Sequence, residues 1–184
     1  MRLVNLVGTM CRDGNLQALR AWYDDHVHQL FGCAGLLEAR MYLREGASTH
    51  GEAPQCLCLY DFASAAAFAE YETGPVRAAA AADRERSWGR EGIAITLRHP
   101  LTRIYRRTLA GEAPTRWLVR ALAAGAQAHR GIVAGIDGAV DLYLTGGADH
   151  STLVFSTPHA ASAPPAQVSV TWQADYAAVR HWTR

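Results

Sequence analysis

The chain has 184 residues, enough for one domain or two small halves sharing a core. With 49% hydrophobic and 19% charged residues it is neither a disordered nor a collagen-like chain. All 18 basic residues are arginine, nearly balanced by 17 acidic ones. That excludes Schiff-base and pyridoxal-phosphate lysine chemistry and a complete Walker A loop, and leaves no basic excess of the kind that drives nonspecific nucleic-acid binding.

Arginine in place of lysine, with 34 alanines, points to a GC-rich bacterial genome. No apolar run reaches the roughly 18 residues of a membrane span. The opening MRLVNLVGTM lacks the apolar core and cleavage site of a signal peptide, so the expected location is the cytoplasm.

Leu3 to Val7 reads as a first strand, and Asp13 to Asn15 supply turn and N-cap chemistry. A helix is expected from about Leu16 to Phe31, with Leu16, Leu19, Tyr23, Val27 and Leu30 on one face. Leu36 to Leu43 reads as a second strand and Gln55 to Phe62 as a third, joined by a polar turn over 45–54. Ser64 caps an alanine-rich helix to about Tyr71, and the Gly74-Pro75 break starts another over 76–88. Ile93 to Leu97 begins a fourth strand, followed by extended or irregular chain to Arg107.

This order is that of a ferredoxin-like split βαβ unit within an α+β fold. Its sheet has one uncovered face, which a homodimer or a second sheet in the same chain would cover. Residues 108–113 read as a linker. After it, 116–123, 136–145, 152–156 and 168–172 read as strands with no long helix between them. GIAITLRHPLTRIYRR (92–107) and QVSVTWQADYAAVRHW (167–182) share an alternating strand, a polar kink and a basic-aromatic end. ARMYL (39–43) likewise parallels AVDLYL (139–144). The expected division is 1–107 as the ferredoxin-like half and 114–184 as a mainly β half. That second half reads either as a degenerate copy without its helices or as an unrelated extension.

Cys11, Cys33, Cys56 and Cys58 read as reduced thiols. Cys56 and Cys58 share a strand face as small core residues, and nothing nearby completes a zinc site, so no metal is expected. GxSxG, HExxH, GxGxxG and EF-hand patterns are absent, which removes serine hydrolases, zincins and Rossmann dehydrogenases.

The segment WYDDHVHQLFGCAGLLEARMY (22–42) resembles dimeric α+β-barrel proteins of the EthD type. The likeness lies in Trp22, Tyr23, His26, Leu30, Gly35, Ala39, Arg40 and Tyr42, and continues in 58–83. It covers about residues 1–107. It implies a barrel of two facing sheets and a small molecule held between sheet and helices. Relatives include small-molecule monooxygenases, polyketide cyclases, decarboxylases and isomerases, so the resemblance implies a fold better than a reaction.

Trp22 and His26, at i and i+4, share a helix side bordering the apolar stripe. His26 is therefore the candidate general acid or base of a cleft between helix and sheet. Asp24 and Asp25 could orient it but read better as solvated charges. His26 and His28 diverge on a helix and do not form a metal pair. Glu38, Arg40 and Tyr42 share a strand face. If that face lines the barrel, Arg40 binds a carboxylate or phenolate and Tyr42 donates a hydrogen bond. Tyr60, beside Cys58, and His99 are second-rank candidates. Arg103, Arg106 and Arg107 around Tyr105 form a short basic-aromatic edge, and Trp117, Trp172 and Trp182 read as packing residues.

The resulting expectation is a cofactor-free enzyme acting by acid/base chemistry on an aromatic or polyketide-like molecule. His26 is its catalytic residue, and Trp22, Tyr23, Arg40, Tyr42 and Tyr60 bind the substrate. The expected partner is that small apolar or aromatic molecule, with no nucleic acid and no membrane. The alternative is a non-catalytic ligand-binding or stress-associated barrel.

Overall fold

A computed structural model describes residues 2–108, 110, 113–123, 129–134, 136–145, 152–157 and 168–184. Part of the expected 108–113 linker lies outside the described residues. The elements are β1 (Leu3–Cys11), α1 (Leu16–Leu30), β2 (Leu36–Thr49), β3 (Cys56–Phe62), α2 (Ala65–Thr73), α3 (Pro75–Trp88) and β4 (Ile93–Arg107). They continue as β5 (Arg116–Ala123), α4 (His129–Ala134), β6 (Val140–Thr145), β7 (Thr152–Ser156) and β8 (Ser169–Thr183). Neighbouring strands hydrogen-bond in the order β1-β3-β2-β8-β5-β7-β6-β4.

Contacts group the chain into two compact units, one of Met1–Met41, Pro54–Arg98 and Arg180–Arg184, the other of Tyr42–Ala53 and His99–Val179. In the first unit β1 pairs antiparallel with β3, from Leu3 opposite Phe62 to Thr9 opposite Cys56. Opposed residues share a face and successive residues alternate, so Asn5, Val7, Thr9, Cys56, Cys58, Tyr60 and Phe62 occupy one side. Val4, Leu6, Leu57, Leu59 and Asp61 occupy the other. Every residue of β3 is buried, as expected of a strand covered on both faces.

Asn15 starts α1, its side chain accepting from the Ala18 N–H at 3.0 Å. The helix buries Leu19, Tyr23, His26, Val27 and Leu30, one stripe at helical spacing. Ser64 caps α2, accepting from the Ala67 N–H at 3.1 Å. Phe68 and Tyr71 of α2 then pack their rings on Phe62, with centroids 5.3 and 5.2 Å away. Pro75 opens α3 in its first turn, where its missing N–H removes no helical bond.

In the second unit β5 lies between β7 and β8, and β7 pairs with β6. Its core gathers Leu122, Ile132, Ile136, Val140, Leu142 and Val154, so the short α4 contributes a buried side chain. β1, β2 and β8 run further than their sequences suggest. β4 continues through His99 and Pro100 to Arg107, the stretch that reads from sequence as extended or irregular. Pro100 precedes the first β4–β6 pair, Leu101 with Thr145, so its missing N–H lies outside that ladder. β8 reaches Thr183 in place of 172 because β5 pairs with it as far as Ala177. The N-terminal strand order β4-β1-β3-β2 recurs in the C-terminal strands as β8-β5-β7-β6.

Candidate functional site

A cleft in the first unit runs between α1, α3 and the helix-facing side of the sheet, with a cavity volume of about 50 Å³. Trp22, Tyr23 and His26 of α1 line it, above Val7 and Thr9 of β1 and Tyr60 of β3. The α1 side chains reach it because they follow the helix's buried stripe. On α3 the lining residues are Arg77, Ala80, Ala81 and Arg84, the i, i+3, i+4, i+7 set of one helix face. The two alanines leave the space that longer side chains would fill. A single water needs only about 10–15 Å³ of such space, so the cleft has room for a group of several atoms.

Asp83 organises the cleft. It and Ala80 are the buried residues of α3. Its Oδ2 accepts from the Trp22 indole N–H at 3.0 Å and faces His26 Nδ1 at 3.1 Å. Its Oδ1 accepts from Arg86 at 2.8 Å. The Trp22 and His26 rings stack with centroids 4.1 Å apart.

Burial pulls the Asp83 carboxyl upward, but the hydrogen bonds from His26, Trp22 and Arg86 prevail and hold it below the usual carboxylate range. Burial is the largest influence on His26 and lowers its pKa; Asp83 opposes this, while Arg84 and Arg77 add to it. Near neutral pH the pair is thus a neutral imidazole beside a carboxylate. A carboxylate only accepts, so Nδ1 carries the proton and donates, and Nε2 is left as a proton acceptor. Burial, reinforced by Cys58, raises the Tyr23 and Tyr60 hydroxyls well above their usual value, so both keep their protons.

The structure brings Trp22, Tyr23, His26 and Tyr60 together and places Arg40 elsewhere. Arg40 donates to Asp61 at 2.7 Å, and its Nε lies 2.9 Å from Glu38. Asp61 is on the sheet face opposite Tyr60. Tyr42, two residues beyond Arg40 on the same strand face, packs its ring on Phe155 at 5.4 Å.

Of the other candidates, His28 is exposed, and His99 lies exposed within β4. Asp24 pairs with Arg180 at 2.7 and 3.1 Å. The Sγ atoms of Cys56 and Cys58 sit 3.9 Å apart in the core, where burial above all raises the Cys56 thiol. Arg106 forms a two-pronged pair with Asp141, and Arg107 donates to the Gly138 and Ile136 carbonyls. The ring of Trp117 contacts Phe155. Among the described residues no group of three or more His, Cys, Asp or Glu could hold a metal ion.

Asp83, Arg77, Arg84 and Arg98 are the cleft residues that sequence reading missed. The repeat Arg77, Ala80, Ala81, Arg84 was the available signal for one special helix face. Asp83 carried none, because its role depends on the indole and imidazole of α1, 61 and 57 residues away in sequence.

No known sequence family matches the chain, and no curated protein does. Solved structures do. A provisionally named monooxygenase from Fusobacterium nucleatum aligns over 100% of this chain and 94% of its own, with TM-score 0.63 and 12% identity. An anthrone oxidase-like protein aligns over 99% and 92%, with TM-score 0.62 and 11% identity. A second provisionally named monooxygenase, from Lactobacillus acidophilus, aligns over 99% and 96%, with TM-score 0.55 and 10% identity. The chain shares their fold. At such identities the likeness concerns the fold alone.

Proposed function

We propose that the cleft is the active site of an EthD-like small-molecule enzyme in which His26 moves a proton to or from an aromatic or polyketide-like substrate. The observation that carries this reading is His26 in the cleft wall, paired behind it with Asp83. Asp83 holds the imidazole in the tautomer that leaves Nε2 basic, and Trp22 fixes the ring by stacking. Protonated Tyr60 and Tyr23 would donate to an enolate or phenolate as it forms. The reaction is of cyclase, decarboxylase, isomerase or cofactor-independent monooxygenase type. The names of the structural neighbours favour the last. Arg40 and Tyr42 act here as scaffold, since Arg40 is engaged by Asp61 and Glu38.

The test is proton exchange at the C10 carbon of anthrone and at the α-carbon of 2-tetralone in D2O. A positioned base contributes about 10²–10⁴-fold, so exchange should exceed the buffer rate and fall to it in His26→Gln. Equal exchange by a folded His26→Gln protein would overturn the mechanism. One rival, a ligand-binding barrel without turnover, predicts binding and no exchange.

We read residues 1–107 as ferredoxin-like and 114–184 as a degenerate second copy. The recurrence of β4-β1-β3-β2 as β8-β5-β7-β6 supports this, as do the equal 15-residue lengths of β4 and β8.

A further inference from the structure

The proposed chemistry does not use the arginines of the cleft. Arg77 and Arg84 stand two helical turns apart on α3, with Ala80 and Ala81 between them, and Arg98 of β4 lines the same cavity. One carboxylate serves this group. Glu72 lies 3.2 Å from Arg98 and 3.7 Å from Arg77, and is itself partly exposed. Arg84 is half-buried and has no hydrogen bond or ion pair among the described residues. The Nε of Arg98 is buried without a hydrogen-bond acceptor. Asp83 does not redress the balance, because Arg86 already sits 2.8 Å from it. Arg77 and Arg98 therefore share one carboxylate and Arg84 has none, around a cavity whose other walls include Trp22, Tyr71 and Ile93. A half-buried guanidinium lacking a counter-charge is costly unless an anion completes it.

From this juxtaposition we infer that the cleft binds a small organic carboxylate, its charge held by Arg84 with Arg77 and Arg98 and its apolar part against Trp22 and Ile93. The inference rests on the proposed reading of the same cleft and adds the substrate class. The planar fork of a guanidinium matches a carboxylate in two hydrogen bonds. The cavity has room for that group, and its apolar side chains disfavour a fully hydrated dianion such as phosphate.

The probe is 4-fluorobenzoate, with 4-fluorobenzamide as its uncharged counterpart, followed by fluorine NMR on the intact chain. The acid should bind and the amide should bind at least about tenfold more weakly, the usual scale for losing a charged hydrogen bond. Arg84→Gln should weaken the acid by about tenfold or more. Arg90→Gln, an exposed arginine outside the cleft, should leave it unchanged. His26→Gln should keep acid binding within about twofold while abolishing proton exchange, which separates the anion site from the proposed catalysis. If Arg84→Gln does not fold, Arg77→Gln and Arg98→Gln carry the same expectation.

Four results would overturn the inference: no binding of the acid at millimolar concentration, equal binding of the amide, full affinity in a folded arginine variant, or displacement of the acid by inorganic phosphate but not by acetate. Acid binding without any proton exchange would uphold it and defeat the catalytic reading.

Discussion

Replacing Asp83 by alanine tests the architecture of the cleft directly. The carboxylate accepts from Trp22 at 3.0 Å, from His26 at 3.1 Å and from Arg86 at 2.8 Å. Alanine removes both acceptor oxygens, and with them all three hydrogen bonds, and leaves the indole N–H and the imidazole N–H without a partner. A buried donor left unsatisfied costs about 1–3 kcal/mol. The Arg86 side chain is 70% exposed, so its ion pair adds less than about 1 kcal/mol. The expected loss is about 2–6 kcal/mol, a large part of the 5–15 kcal/mol typical of a domain. Urea unfolding of Asp83→Ala, His26→Ala and the double variant measures it. The cycle should return a coupling of about 0.5–3 kcal/mol with unchanged m-values. A loss below about 0.5 kcal/mol for Asp83→Ala, the scale of a surface substitution, would refute the claim that this carboxylate organises the cleft.

Stability should also depend on pH through His26. Its folded pKa lies below the usual 6.5, chiefly through burial, so the unfolded chain binds the proton more readily. Stability is therefore full above pH 6.5 and falls as pH drops from there toward the folded value; His26→Gln should remove that component from a pH series of urea midpoints. Arg40→Leu should destabilise the chain by about 3–5 kcal/mol, because the Asp61 side chain is only 1% exposed and would lose its partner. Asp61→Leu in the same background should recover much of that loss, read by the same denaturation. Gly35→Ala should cost about 1–3 kcal/mol, since its Cβ would come within 2.3 Å of the Ala67 Cβ; thermal unfolding reads this, and an unchanged midpoint would refute the close approach of α2.

Local elements were legible where one segment holds its own signals. The stripe Leu19, Tyr23, Val27, Leu30 and the Asn15 cap place α1 within a residue of its observed end. The Ser64 cap and the Gly74-Pro75 break place α2 within two residues of its observed end and α3 within one. Strand ends were not legible. The Gly, Ser and Thr of 45–49 read as a turn, yet β2 continues to Thr49, and the reversal falls after it, at His50 and Gly51 with φ +63 and +148. Adding a side chain at Gly51 would bring a Cβ within 2.4 Å of the Thr171 carbonyl, so this turn is set by β8 and not by its own residues. β1 and β8 lengthen for the same reason, because β3 and β5 supply hydrogen-bond partners beyond the apolar run.

The sequence by itself determined the α+β class, the absence of lysine chemistry and the positions of Trp22, Tyr23 and His26 on one helix side. Each of these follows from composition or from a period within a single segment. Only the tertiary structure decided that Asp83 orients His26, that Arg40 turns to Asp61 and that three arginines meet at one cavity. These are pairings between distant segments. Neither helical nor strand periodicity encodes which face of one element meets which face of another, so the partner of a buried charge becomes known only when the chain has closed around it.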